Sequence, residues 1–243
     1  IWNIKVRNPK LKTSILLTQA PLMHKVVTEN SSGTNIKVII AIAVIIILHG
    51  VGLVGLSLPE YRDWFLSMTP AQLLTSLVII LLFHRGWSDS FPIFATAVFW
   101  IGFGAELIGI HTGYLFGDYV YGPTLGPKLW EVPIIIGVNW FILAYLTGVA
   151  FQKIPNDYYA AFLGATAMTA IDYILEPVAV SLDFWYWKFD IIPVGNYLGW
   201  FFIAYLIHLI FRKAKFEKQN PIALPLLLTL ILFFTILNFT VVE

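Results

Sequence analysis

Seven uninterrupted apolar blocks, each close to the length of a membrane span, leave this chain few ways to fold. They run Val38 to Leu56, Leu66 to Phe83, Phe91 to Ile110, Pro133 to Phe151, Tyr158 to Val180, Asn196 to Phe211 and Ile222 to Val241. A helix rises 1.5 Å per residue, so about 20 residues cross the roughly 30 Å of hydrocarbon in a bilayer. The runs are continuous and do not alternate, which argues against the two-residue period of a membrane barrel, and strands are not expected. The predicted fold is all-α: a polytopic integral membrane helical bundle of about seven transmembrane helices. Composition agrees, since 58% of the 243 residues are hydrophobic and only 12% are charged. A water-soluble fold would lack the polar surface to cover such a core. Two helix starts show a capping residue followed by Pro, Thr69-Pro70 and Asn220-Pro221, where the missing N–H of Pro goes unnoticed.

Residues 1–35 are polar and carry no apolar stretch of the signal-peptide kind. They are read as a separate N-terminal segment, and residues 36–243 as a single transmembrane domain. Position 1 is Ile, and Met23 lies shortly before the first apolar block, so residues 1–22 are expected to be non-native or an upstream extension.

The chain has no cysteine, hence no disulfide, no thiolate metal site and no cysteine nucleophile. Its net charge of +1 comes without a basic patch, so no nucleic-acid partner is expected. No His/Asp/Glu cluster has metal-ligand spacing, and neither a Gly-rich phosphate loop nor a Ser-His-Asp pattern is present.

Cytoplasmic loops are enriched in Lys and Arg, so the charges of alternate loops set the topology. With the N-terminus inside, the inner set holds Lys5, Arg7, Lys10, Lys12, Lys25, Lys37, Arg85, Lys153, Arg212, Lys213, Lys215 and Lys218, against Arg62, Lys128 and Lys188 outside. Leaving out residues 1–22 still gives eight against three. The expected orientation is N-terminus cytoplasmic and C-terminus outside, in a multi-pass protein of the cell (inner) membrane.

This topology brings the unusual residues to one depth. Glu106 lies near the outer end of the third block, Asn139 and Trp140 near the outer start of the fourth, Asp172 and Glu176 in the last turns of the fifth, and Asn196 at the start of the sixth. They meet beneath two long loops, Ile110 to Glu131 and Ser181 to Gly195. An ionisable residue inside a transmembrane helix costs a few kcal/mol and normally faces the bundle interior. Asp172 and Glu176 are four apart and share a helix face, with Cβ atoms about 6 Å from each other. One neutral acid beside one carboxylate is a usual arrangement for proton chemistry. The plainer alternative is that these groups glue helices together through Tyr or Asn.

The segment GIHTGYLFGDYVYGPTLGPKL suits either close helix packing or a loop covering a long apolar pocket. The run DFWYWKF (Asp183 to Phe189) and Trp130 read first as an aromatic belt at the outer interface, and less readily as a binding site. His49 and His208 stand alone in apolar helices and are expected to be satisfied by neighbours. His111 follows the third block, where a spare proton carrier at the interface is one expected role.

Two stretches, AELIGIHTGYLFGDYVYGPTLGPKLWEVPIIIGVNWFILAY and MTAIDYILEPVAVSLDFWYWKFDIIPVGNYLGWF, resemble the membrane carotenoid-biosynthesis family of carotenoid 1,2-hydratases, over roughly Phe91 to Phe211. The first carries Glu106, Gly109, Thr112, Gly113, Phe116, Gly117, Tyr119, Tyr121, Leu125, Gly126, Lys128 and Leu129. The second carries Asp172, Leu175, Glu176, Pro177, Trp185, Trp187, Asn196, Gly199 and Trp200. Glu176 stands where the pattern more often has Asp, and Val120 where a His is expected.

The resemblance implies hydration of the terminal double bond at an acyclic carotene end, giving a tertiary alcohol without a cofactor. A protein acid protonates C2, a tertiary cation forms at C1, and water adds there. An alkene is a poor base, so the acid must be neutral and held against the bond. The cation needs a negative or π-rich wall, which Trp140, Trp185, Trp187, Tyr119 and Tyr121 supply. Asp172 and Glu176 are the favoured catalytic pair with Glu106 as third member. Thr112, Tyr119, Tyr121, Asn139, Trp140, Trp185, Trp187, Asn196 and Trp200 are the candidate substrate-binding residues. The implied partners are a lipophilic carotene, water, the lipid bilayer and other enzymes of the carotenoid pathway.

Other readings are a prenyltransferase, which needs two Asp-rich motifs for magnesium diphosphate where this chain has one acidic pair, and a carotenoid end-group cyclase, which shares the first protonation but excludes water. A retinal photoreceptor needs a Schiff-base Lys in the last helix, and Ile222 to Val241 has none. A transporter or structural membrane protein predicts an internal repeat, which is not visible.

Overall fold

Each of the seven apolar blocks contains a helix, because in hydrocarbon only a helix satisfies its own backbone. The computed structural model describes residues 35–242, so the suspected non-native segment 1–22 lies outside the described residues. Helix α1 spans Asn35–Ser57. It is followed by α2 (Pro59–Ser67), α3 (Thr69–Phe83), α4 (Ser90–Thr112), α5 (Ile135–Ala150), α6 (Asp157–Ser181), α7 (Val194–Lys213) and α8 (Ala223–Thr240). The chain is an all-α, multi-pass membrane protein. Its contacts divide it into Ile1–Ala41 and Ile42–Glu243, and everything below concerns the second unit.

Five helices, α1, α4, α6, α7 and α8, are long and apolar enough to cross a bilayer, and α2 with α3 makes a sixth candidate bent by 56°. The bend follows from sequence: Pro70 has no N–H to offer the carbonyl of Leu66, so the ladder breaks between the two helices. Thr69 is already inside α3, and the capping position belongs to Met68 without a side-chain bond, which corrects the expected Thr cap. Asn220 does serve its helix start, accepting the Ile222 N–H at 3.0 Å.

The seventh helix, α5, has 16 residues and is buried almost all round, from Trp140 through Val149. At 1.5 Å per residue it is about 24 Å long, short for a lipid-facing span. An apolar helix with no polar face belongs in the middle of a bundle, and α5 packs against α3, α4, α6, α7 and α8.

Strands were not expected, and among the described residues none crosses the bundle. Two short antiparallel ladders do form in the loops: β1 (Tyr119–Tyr121) with β4 (Trp185–Trp187), and β2 (Lys128–Leu129) with β3 (Val132–Pro133). The first ladder ties the loop after α4 to the loop after α6. At the opposite end, Arg85 N–H donates to Gln219 O at 3.2 Å. There too Arg212 joins Asp157 (2.8 Å) to the carbonyls of Gln152 (2.7 Å) and Ile154 (2.9 Å). Alternate loops therefore gather at opposite ends, the grouping on which the charge reading rests.

The two isolated histidines are satisfied by neighbours, as expected. His49 Nδ1 lies 2.8 Å from Ile45 O, and His208 bonds Ala204 O at 2.7 Å and Thr147 Oγ1 at 2.9 Å.

Candidate active site

Glu106 sits two turns before the end of α4, 4% exposed, between two glycines that make room for its partners. A Cβ at Gly102 would stand 2.2 Å from Cγ of Trp140, and one at Gly109 would stand 2.6 Å from the Phe116 ring. Small residues here let α5 and the following loop close on the carboxyl. Trp140 Nε1 donates to Glu106 Oε1 at 3.0 Å. Strand alternation in β1 turns Val120 outward and both tyrosines inward. The Tyr119 hydroxyl donates to Glu106 Oε2, and the Tyr121 hydroxyl joins it there at 2.8 Å.

The same alternation in β4 exposes Tyr186 and buries Trp185 and Trp187. Both indoles donate to Glu176 Oε2, at 3.0 and 2.8 Å. Glu176 and Asp172 share one face of α6, each 1% exposed. In the first turn of α7, Asn196 Nδ2 spans them, donating to Asp172 Oδ2 and Glu176 Oε1, both at 3.0 Å. Trp200, one turn further along α7, stacks on Trp140 with ring centres 4.2 Å apart.

Three carboxyls thus lie close together with neutral donors around them, and among the described residues none forms an ion pair. Glu106 and Glu176 each accept three hydrogen bonds, while Asp172 accepts one. A carboxylate accepts only, so three donors serve it in its ionised form, whereas a carboxyl with one donor has a free oxygen for a proton. Burial, reinforced by the neighbouring Glu106, pushes the phenols of Tyr119 and Tyr121 well above their usual range. They remain protonated donors at any physiological pH.

A small cavity of about 20 Å³ opens among these groups, lined by Glu106, Glu176, Tyr119, Tyr121, Asn139, Trp140, Trp185, Trp187, Asn196 and Trp200, together with Phe116 and Ile136. Asp172 is not on its wall and stands behind Asn196. Beside it lies a much larger, mainly apolar cavity of about 370 Å³, bounded by α1, α2, α3, α5, α6, α8 and the loops after α4 and α6, with Leu48, Phe65, Leu143 and Phe233 among its walls. Ile136, Asn139 and Trp185 line both.

Of the residues singled out in the sequence, Thr112 is not brought to this place. It is exposed at the end of α4, where its hydroxyl donates to Ile108 O at 2.6 Å and accepts the Tyr114 N–H at 3.2 Å, so it closes the helix. The belt reading of DFWYWKF holds for Tyr186 and fails for Trp185 and Trp187, which are 9% and 5% exposed. Trp130 stays outside, and His111 lies at the surface 3.8 Å from Glu131. The glycine-rich segment is a loop above the carboxyls rather than a packing helix. Gly199 passes beneath it, where a Cβ would meet Leu115 O at 2.2 Å. Ile136 and the helices that wall the large cavity were missed, because an apolar side chain facing a cavity and one facing lipid look alike in sequence.

Comparison with known proteins places this arrangement in context. A family model described as "Carotenoid biosynthesis protein" matches residues 68–242, which hold every carboxyl and donor named above. Bisanhydrobacterioruberin hydratase of Haloarcula japonica is 35% identical over 107 residues, 40% of this chain and 36% of that protein. The match thus spans little more than a third of the relative's length. No solved structure matches the chain.

Proposed function

Because this chain belongs to the carotenoid biosynthesis protein family, we propose that it is a hydro-lyase that adds water across the terminal 1,2 double bond of an acyclic carotene end. The product is a tertiary alcohol. The observation that carries this reading is the placing of buried carboxyls, held only by neutral donors, against an apolar cavity large enough for the end of an isoprenoid chain. The hydratase name of the Haloarcula relative supports it.

The chemistry asks for an acid, a wall for a cation, and a base. Asp172 and Glu176, held together by the amide of Asn196, share the acid role as one pair with a single proton between them, and Glu176, the cavity-facing member, delivers it. An alkene is a poor base and requires a neutral carboxylic acid held against it. The π electrons of the double bond take that proton at C2, leaving the tertiary cation at C1. The indole of Trp185, which lines both cavities, and the nearby carboxylates stabilise it. Water adds its oxygen to C1 and loses a proton to Glu106, which three donors hold ready as an anion. Proton and water are the only co-reactants, so no cofactor is invoked. A substrate dissolved in the bilayer accounts for a bundle whose largest cavity is apolar, and we place the protein in the cell membrane.

The test is pigment analysis after expression in cells that accumulate lycopene or γ-carotene. A new pigment heavier by one water, carrying a tertiary hydroxyl, is expected. A cyclised isomer of unchanged mass, or a prenylated product, would replace this reading with a cyclase or a prenyltransferase.

A further inference from the structure

The three side chains common to both cavities are Ile136, Asn139 and Trp185. Two of these have a clear part, Ile136 as apolar wall and Trp185 as donor to Glu176. Asn139 is different. It is only partly buried, it borders the polar and the apolar space together, and among the described residues its amide makes no hydrogen bond. Its neighbour Trp140, which lines the small cavity too, is already engaged with Glu106. An amide with four hydrogen-bonding sites, set in a bundle interior with none of them used by protein, is built to hold something that comes and goes.

The small cavity indicates what that is. A water needs about 10–15 Å³ of such volume and two to four polar partners. The cavity offers about 20 Å³ and, besides Asn139, the carboxyls of Glu106 and Glu176. An end group of a carotene does not fit in that space, whereas the adjoining apolar cavity of about 370 Å³ has room for it.

We propose that Asn139 is the positioning residue for the nucleophilic water: it holds one molecule in the small cavity at the boundary with the apolar one. From there the oxygen lone pair forms the bond to C1, and one water proton passes to Glu106. Asn139 takes no part in the earlier step, in which the double bond takes its proton at C2. This rests on the hydratase reading of the same site. It adds that capture of the cation by water, and hence the choice between alcohol and other fates, is controlled from α5 by a group that neither gives nor receives the catalytic proton.

The experiment runs the reaction in D₂O with membranes carrying the parent protein, Asn139→Leu or Asn139→Ser, and measures alcohol formed and deuterium in the recovered carotene. A cation that water fails to capture loses a proton, from a methyl group to give the exomethylene isomer, which keeps the deuteron gained at C2, or from C2 to return the alkene, which keeps it when the original hydrogen leaves. Asn139→Leu is expected to lower the alcohol at least tenfold while deuterated alkene or isomer continues to form. Asn139→Ser, which keeps a hydroxyl for the water, is expected to recover part of the alcohol. Equal loss of alcohol and deuterium in the Leu variant at parent protein level would overturn the proposal, as would undiminished alcohol. If the Leu variant does not accumulate, Asn139→Ser decides by its ratio of alcohol to deuterated alkene, which must fall below the parent's. A parent protein that forms no alcohol would instead remove the hydratase reading itself.

Discussion

Replacing each member of the α6 pair by its amide is expected to give two different results, for a reason visible in the hydrogen bonds. An amide mimics a protonated carboxyl, with one acceptor oxygen and a donor in place of the second. Asp172 receives a single bond, from Asn196 at 3.0 Å. Asp172→Asn can keep that acceptor, so stability should change by less than about 1 kcal/mol, because no donor loses its partner. Glu176 receives three, with two indoles on Oε2 and Asn196 on Oε1. Glu176→Gln has one oxygen for these two positions, so at least one buried N–H is left facing an NH₂. That costs about 1–3 kcal/mol. Activity should fall in both, by about 10²-fold or more, the usual worth of general acid catalysis. Product is measured by pigment chromatography normalised to protein in the membrane, and stability by thermal unfolding in detergent. Asp172→Asn should combine parent stability with lost product, while Glu176→Gln should lose both. Both variants made at parent level and still forming the tertiary alcohol at the parent rate would refute the pair's role and pass the acid function to Glu106. A Glu176→Gln protein as stable as the parent would refute the count of donors on its oxygens.

Further tests address orientation, cofactors and packing. A reporter fused after Val241 is expected outside the cytoplasm and one placed between Arg212 and Asn220 inside; the same side for both would contradict the alternation of loops. Detergent-purified protein should form its product in the presence of a chelator and without nucleotide, and loss of activity restored by magnesium would favour a prenyltransferase. Gly102→Ala sets a methyl group 2.2 Å from Cγ of Trp140. It should destabilise the protein by about 1–3 kcal/mol through overpacking and lower activity by moving the indole off Glu106. Unchanged indole fluorescence and activity would show that α4 and α5 can part without cost.

The helices themselves were legible in the sequence because a bilayer leaves the backbone little choice: a continuous apolar run must bond to itself, and each of the seven runs contains a helix. The polar residues within those runs were legible for the same reason, since a carboxyl in hydrocarbon is costly enough to stand out wherever it occurs. Glu106, Asp172, Glu176 and Asn196 could therefore be named together from depth alone. Tertiary structure decided what depth cannot. By composition alone Trp185 and Trp187 read as an interfacial belt, and only the resemblance marked them as site residues; pairing of β4 with β1 fixes which side of the strand faces inward, and pairing between residues more than 60 apart has no local signature. Thr112 lies six residues beyond Glu106, about 9 Å further along at the exposed end of α4. The break that sets α2 apart from α3 follows from one missing N–H at Pro70, yet only the fold shows that both helices border the large cavity. That cavity is the feature least visible in the chain, because most of its lining is as apolar as a lipid-facing surface and only the arrangement of α1, α2, α3, α5, α6 and α8 makes it an interior.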